Sequence, residues 1–174
     1  MRTEYPKHLP AFSYVGYHAY SLTFCARDRA RLFTSSESVY LVRSQILRAA
    51  ESESFDVVAY CFMPDHLHLV VQGAREDSDL KAFVKLAKQL SGFHYRQKTG
   101  SALWQRYSFE HVLRDDEDLA IKVRYVLENP VRAGIVVAPA DYTYLGSSVY
   151  EVNELFDFAY GRSASAGRRT TWSA

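Results

Sequence analysis

A nearly continuous apolar run between residues 55 and 71 constrains the fold of this chain more than any other stretch. The run is interrupted once, by Met63-Pro64-Asp65, where proline followed by aspartate favours a tight turn. The segments on either side have the length and the residue types of short buried strands. We therefore predict a β-hairpin whose first strand covers 55–62 and whose second strand begins at His66.

Two histidines alternate with leucine at the start of that second strand. Because residues i and i+2 of a strand point to the same face, His66 and His68 are expected to project together. Paired imidazole nitrogens suit a transition metal or similar divalent cation, with further ligands supplied from elsewhere in the chain. A buried imidazole also needs a hydrogen-bond partner, so a purely structural role carries equal weight on this pattern alone.

The rest of the chain alternates between strand-like and helix-like patterns. The predicted elements, in order, are a strand over 14–26, a helix from Ser35 or Ser36 to about Ser52, the hairpin, a helix capped by Asp77 or Ser78 and ending near Tyr95, a loop over 97–101, an extended segment containing a strand over 103–114, and a helix from Asp115 or Asp116 to about Asn129. This order predicts an α+β fold, a ferredoxin-like antiparallel sheet covered by helices.

Length and composition predict one cytoplasmic domain over residues 1–160, followed by a disordered tail over 161–174 that is small, polar and basic. No apolar run approaches the roughly 18 residues of a membrane span, so we expect no membrane association. Cys25 and Cys61 lie in apolar strand patterns without metal-type spacing, and we interpret them as buried free thiols of a reducing compartment.

The helix that ends near Asn129 carries two further polar residues of interest. Tyr125 and Asn129 are four positions apart and therefore lie one above the other on the helix, on a flank of its apolar stripe. Pro130 disfavours a helical residue before it, which ends the helix at this point. Taken singly, the tyrosine is typical of a core or interface residue and the asparagine of a helix C-terminus.

Taken together, these motifs resemble a known family. The motifs are Met63-Pro64-Asp65, His66-Leu67-His68, Trp104-Gln105, Arg114, and Tyr125-x-x-x-Asn129-Pro130-Val131-x-Ala133-Gly134. They are similar to those of the single-tyrosine HUH transposases of the IS200/IS605 type, and more closely of the REP-associated tyrosine transposases, over residues 10 to 145. The resemblance implies a metal-dependent nuclease and strand transferase acting on single-stranded DNA that carries hairpins.

The resemblance also implies a role for each matched residue. His66 and His68 would be the HUH pair and Asn129 the third ligand of Mg²⁺ or Mn²⁺, which leaves coordination positions for water and a phosphate. Tyr125 would attack phosphorus to give a 5′-phosphotyrosine and a free 3′-hydroxyl. A phenol needs help to lose its proton at neutral pH, and the sequence does not identify the acceptor. Glu110 and His111 lie in a segment that is a candidate to border the site, with supporting or purely structural roles as an equal alternative.

Several basic residues between 81 and 114 are candidate contacts to DNA phosphates, although the net charge of the chain is only +1. They are Lys81, Lys85, Lys88, Arg96, Arg106 and Arg114. A solvated basic helix face is the alternative interpretation. The stretch from Tyr14 to Tyr20 departs from the Gly-x-Thr-type start associated with some REP-associated members, so the resemblance does not specify the DNA sequence.

Three further points stay open at this stage. The resemblance is compatible with a monomer or with a homodimer that exchanges tyrosine helices. A DNA- or RNA-binding regulator with the same fold and no cleavage activity is the main alternative function. A small-molecule metallohydrolase is a third class, and it would need more carboxylate ligands near the histidines than the sequence offers.

Overall fold

The computed structural model describes residues 12–114 and 116–161 of the chain. Five strands and five α-helices are formed there: β1 (Ala19–Ala26), α1 (Ser36–Ser52), β2 (Phe55–Met63), β3 (His66–Gly73), α2 (Leu80–Thr99), β4 (Trp104–Leu113), α3 (Asp116–Leu127), α4 (Asn129–Arg132), β5 (Leu145–Gly146) and α5 (Val152–Tyr160). The predicted hairpin is confirmed, with β2 and β3 joined through Pro64 and Asp65.

The strands form one antiparallel sheet in the order β4-β1-β3-β2-β5. The first four strands with α1 and α2 reproduce the β-α-β-β-α-β arrangement of a ferredoxin-like fold, which confirms the predicted class. β3 lies at the centre of the sheet, between β1 and β2. The strand that carries the two histidines is therefore held by hydrogen bonds on both sides.

Each face of the sheet has its own hydrophobic core. Leu67, Leu69 and Val71 of β3 pack with residues of α1 and α2. Val70 points the other way and packs with Val123 and other residues of α3 and α5. His66 and His68 share the side of Val70 because strand residues alternate. We call this side, defined by His66, His68 and Val70, the histidine face.

Several predicted boundaries differ from the structure. β1 begins at Ala19, and of the residues predicted to precede it only Val15 forms a bridge, to Asp79. α2 is capped by Asp79, whose carboxylate accepts from the amides of Lys81 and Ala82, rather than by Asp77 or Ser78. The predicted loop at 97–101 was wrong for its first half. The helix continues to Thr99 and ends where Gly100 adopts a left-handed conformation, with a φ of 74°.

The segment after α3 contains elements that the sequence pattern did not reveal. α3 ends at Leu127, and Pro130 lies in the first turn of α4, where its missing N–H costs nothing. β5 and α5 were not predicted as a strand and a helix. Residues 1–11, Asp115 and most of the predicted tail, 162–174, lie outside the described residues.

The predicted state of the cysteines is confirmed, since Cys25 and Cys61 are free and buried. Among the helices of the described ranges, none combines the length and the apolar character needed to cross a membrane.

Candidate active site

The two predicted ligands meet at the start of β3. The Nε2 atoms of His66 and His68 lie 3.0 Å apart, with the rings nearly perpendicular. The strand pairing places Thr23 and Cys25 of β1 beside them on one side, and Cys61 and Met63 of β2 on the other. The prediction that both imidazoles project to one face is therefore confirmed.

Each imidazole is oriented through its second nitrogen. His66 Nδ1 lies 2.6 Å from Asp65 Oδ1, and the other carboxylate oxygen of Asp65 accepts from Arg29 Nε at 3.0 Å. His68 Nδ1 lies 3.1 Å from the hydroxyl of Thr23. These contacts hold both Nε2 atoms toward the same point, an arrangement that is typical of metal-binding histidines.

The electrostatic setting keeps His68 neutral. Burial, followed by the positive charges of His66, Lys122, Arg132 and Arg29, lowers the pKa of His68 from 6.5 to about 3. The pKa of Asp65 is also lowered: partial burial raises it, but the hydrogen bond and charge of His66 and the charge of Arg29 outweigh that effect. The neutral imidazole of His68 presents a lone pair that needs no proton removal before it binds a cation.

The 3.0 Å separation of the two Nε2 atoms is a hydrogen-bond distance, at which one ring donates to the other. It is also close to the separation of roughly 3 Å between two neighbouring ligands of one divalent cation. Within the described ranges, no group of three or more His, Cys, Asp or Glu side chains is placed to hold a metal.

Tyr125 lies on α3, the helix that packs on the histidine face through Val123, Val126 and Leu127. Its side chain is 46% exposed. The ring contacts two cations: the Lys122 ammonium lies 4.6 Å and the Arg132 guanidinium carbon 3.9 Å from its centroid. Because α3 packs on the histidine face, a single chain holds the tyrosine helix and the histidine pair on the same side of the sheet.

Asn129 is the first residue of α4 and turns its amide back onto α3. Its Nδ2 donates to the carbonyl oxygens of Tyr125 and Val126, each at 3.2 Å. This contact caps the end of α3, which is the role that an asparagine at a helix C-terminus typically has. It leaves Oδ1 without a hydrogen bond to the described residues, so the same side chain retains an oxygen that a cation could use.

The predicted phosphate contacts are spread over the molecule. Lys81, Lys85 and Arg96 are exposed on α2, which covers the sheet face opposite the histidines. The ammonium group of Lys88 is held in position, because it donates to the carbonyl oxygens of Gln105 and Arg106. Burial lowers the pKa of Lys88. Arg106 on β4 and Arg114 just after it are both exposed. The structure therefore does not gather these six residues around the histidine pair.

A model of the IS200-like transposase family matches residues 14–128, about two thirds of the chain. A Haemophilus influenzae protein assigned to the REP-associated tyrosine transposases is 34% identical over 136 residues, which are 72% of this chain and 77% of the relative. The chain belongs to this transposase family. The matched region contains His66, His68 and Tyr125 and stops one residue before Asn129.

Two more distant transposases agree with this membership. The Escherichia coli REP-associated tyrosine transposase is 24% identical over 117 residues, 67% of each chain. The structure of a REP-associated tyrosine transposase bound to a REP hairpin superposes with a TM-score of 0.69 at 23% identity, covering 99% of this chain and 96% of the other. At that identity the superposition supports the fold.

Sequence reasoning missed several residues that border the transposase site. Thr23, Lys122 and Arg132 contact predicted site residues. No local pattern marks Thr23 or Lys122, and the motif from Tyr125 to Gly134 contains Arg132 without indicating a role for it. Phe109 of β4 pairs with Thr23, shares its face of the sheet and is 51% exposed. The same register places His111 on the histidine face and Glu110 on the opposite one, so the suggestion that Glu110 borders the site was wrong.

Proposed function

We propose that the protein is a metal-dependent single-stranded DNA endonuclease and strand transferase that acts at hairpin-bearing repeats through Tyr125. The observation that carries this proposal is the 3.0 Å pair of Nε2 atoms on the sheet face against which the tyrosine helix packs. The family membership supplies the reaction class. The REP hairpin bound by the structural relative suggests the type of DNA.

His66, His68 and the Oδ1 atom of Asn129 are the residues that would hold a divalent cation, Mg²⁺ or Mn²⁺. When bound, such a cation supplies a positive charge that stabilises the developing negative charge on the non-bridging phosphate oxygens. Asp65 and Thr23 orient the two imidazoles for this purpose. The neutral state of His68 keeps its lone pair available at physiological pH.

Tyr125 is the proposed nucleophile. Its phenolic oxygen forms a bond to phosphorus while the bond from phosphorus to the 3′ oxygen of the preceding nucleotide breaks. The phenolic proton is transferred overall to that 3′ oxygen, which leaves a 5′-phosphotyrosine and a 3′-hydroxyl. Attack by a different 3′-hydroxyl reverses the step and joins new ends, so strand transfer needs no nucleotide cofactor.

Phe109 gives the site a surface for an unpaired base. Its exposed ring lies on the strand next to Thr23, whose hydroxyl contacts His68. Stacking on an aromatic ring is a common way to hold single-stranded DNA without reading its sequence. An unpaired nucleotide next to the scissile phosphate could stack there.

The proposal is tested with hairpin-bearing single-stranded oligonucleotides drawn from the repeats of the host genome, in Mn²⁺. Wild-type protein is expected to form a covalent adduct visible as a shifted band in denaturing gels, and the Tyr125→Phe variant none. A wild-type protein that binds these hairpins in EDTA as well as in Mn²⁺, and cleaves none, would instead support the regulator.

A further inference from the structure

We propose that Lys122 and Arg132 bind the scissile phosphate beside Tyr125, as a second source of positive charge opposite the histidine pair. This inference rests on the proposed function and adds two residues to its site. It begins with the position of the cations: both lie against the Tyr125 ring, and α3, which carries Tyr125 and Lys122, packs on the histidine face. Tyr125 and its two cations therefore lie on the same side of the sheet as the histidine pair.

The positive charge of these side chains is poorly neutralised by the described residues. Lys122 forms no ion pair with them. Arg132 approaches Glu128 at 3.5 Å, but Glu128 is held more closely by Arg124, at 3.0 Å, and by the hydroxyl of Tyr160. Asp65, the carboxylate beside His66, is already engaged by Arg29. The surface around the Tyr125 ring therefore favours an anion.

Arg132 is held in place by its surroundings. One of its guanidinium nitrogens donates to the carbonyl oxygen of Tyr125 itself, while the group stacks on the ring. A planar guanidinium fixed in this way can present its remaining N–H groups to two phosphate oxygens.

The chemistry of the reaction explains why such groups would be useful. Negative charge on the non-bridging oxygens grows as the phenolic oxygen attacks, and fixed donors stabilise it without reorganisation. A single divalent cation on the histidine side reaches only part of the phosphate. Lys122 and Arg132 approach from the side of the nucleophile, because both lie against the Tyr125 ring.

The first experiment measures single-turnover cleavage by wild type, Lys122→Gln, Arg132→Gln, Arg132→Lys and Arg48→Gln in saturating Mn²⁺. Each of the two Gln variants at Lys122 and Arg132 is expected to slow adduct formation by about 100-fold. Arg132→Lys should recover part of that loss. Arg48→Gln, an exposed arginine on α1, is the control, and it should stay within about twofold of wild type because α1 packs on the sheet face opposite the histidines.

The second experiment separates phosphate binding from a merely structural role. Affinity is measured in the Tyr125→Phe background for the native oligonucleotide and for one with a neutral methylphosphonate at the mapped cleavage site. Arg132→Gln should weaken binding of the native DNA about tenfold and of the neutral analogue hardly at all. Equal losses on both DNAs, or Gln variants that cleave at the wild-type rate, would overturn the inference while leaving the nuclease intact. A wild type that forms no adduct would overturn both.

Discussion

At the scale of single residues, the hydrogen bonds around the histidine pair set which tautomers can bind a cation. Metal binding needs a lone pair on both Nε2 atoms, so each ring must carry its proton on Nδ1. Asp65 can accept a hydrogen bond from the Nδ1–H group of His66. The hydroxyl of Thr23 can donate or accept a hydrogen bond, so it can accept one from the Nδ1–H group of His68 when a cation is present.

Thr23→Val tests this role, since valine keeps the shape of the side chain and removes the hydroxyl. We expect the affinity of the DNA-free protein for Mn²⁺ to fall by about 10- to 100-fold. Titration calorimetry, or the electron paramagnetic resonance signal of free Mn²⁺, measures it. Ser21→Ala, two residues earlier on the same face of β1, is the control, and an equal loss there would refute the assignment.

The low pKa of His68 predicts how stability depends on pH in the absence of metal. Below about pH 6.5 the unfolded chain binds a proton at this residue, whereas the folded protein does so only near pH 3. The free energy of unfolding should therefore fall, by up to about 1.4 kcal/mol per pH unit, as the pH drops through this range. Urea denaturation in EDTA at several pH values measures the slope. In the His68→Gln variant this slope should be smaller by the contribution of about one proton. An unchanged slope would show that His68 does not cause the pH dependence.

At the scale of the elements, the end of β3 is packed too closely for any side chain. An ideal Cβ on Gly73 would lie 2.0 Å from the carbonyl oxygen of Gly16, a backbone atom that cannot move aside. Gly92 in α2 has the opposite situation, since its Cβ would meet only Trp104, at 3.9 Å. A methyl side chain is therefore excluded at Gly73 and accommodated at Gly92.

The pair predicts opposite changes for the same substitution. Gly73→Ala should lower the free energy of unfolding by about 2–3 kcal/mol through overpacking. Gly92→Ala should raise it by about 0.5–1 kcal/mol, because alanine favours the helix interior. Chemical denaturation of both variants provides the comparison, and a Gly73→Ala variant as stable as wild type would show that the loop before β1 can shift.

The elements also show what sequence patterns could and could not predict. The hairpin and α1 follow from local signals, namely the Pro64-Asp65 turn and the Ser35 cap, whose hydroxyl accepts from the amide of Ser38. The extent of α2 was missed because two plausible caps precede Asp79. The short β5 depends on pairing with β2, a partner more than eighty residues earlier, which no local pattern encodes.

The residues of the site also divide into those that the sequence predicted and those that it did not. His66, His68 and Tyr125 stand in recognisable motifs, so the sequence pointed to them. Thr23 lies 45 positions from His68 and no local pattern marks it, whereas Arg132 stands inside the motif from Tyr125 to Gly134, which does not indicate its role. The strand register brings Thr23 to His68, and the turn from α3 into α4 brings Arg132 onto the Tyr125 ring, so both roles became visible with the fold.

At the scale of the whole molecule, the exposed basic residues of α2 and the histidine pair lie on opposite sides of the sheet. These basic residues are Lys81, Lys85 and Arg96. Any DNA that contacts both must pass around an edge. We therefore expect binding at α2 and chemistry at Tyr125 to respond separately to substitution.

The double variant Lys85→Gln/Arg96→Gln tests that separation. We expect weaker hairpin binding and a shallower salt dependence, by about 0.7 in log–log slope for each single-strand phosphate that the variant no longer neutralises. The single-turnover rate of saturated protein should stay unchanged. Fluorescence anisotropy between 50 and 200 mM salt, with Arg48→Gln on α1 as the control, measures the effect. A slope equal to that of wild type would show that this face is only solvated.

The two hydrophobic cores also bear on how the protein partly unfolds under native conditions. α3 and α5 pack on one side of the sheet and share no core with α1 and α2. Hydrogen exchange in native conditions should therefore reveal two cooperative units, with the amides of α3 exchanging through a partial opening that leaves β1, β3 and α2 protected. Tyr125, the proposed nucleophile, would thus lie in the part of the molecule that unfolds more readily, while the histidines lie on a strand that stays folded.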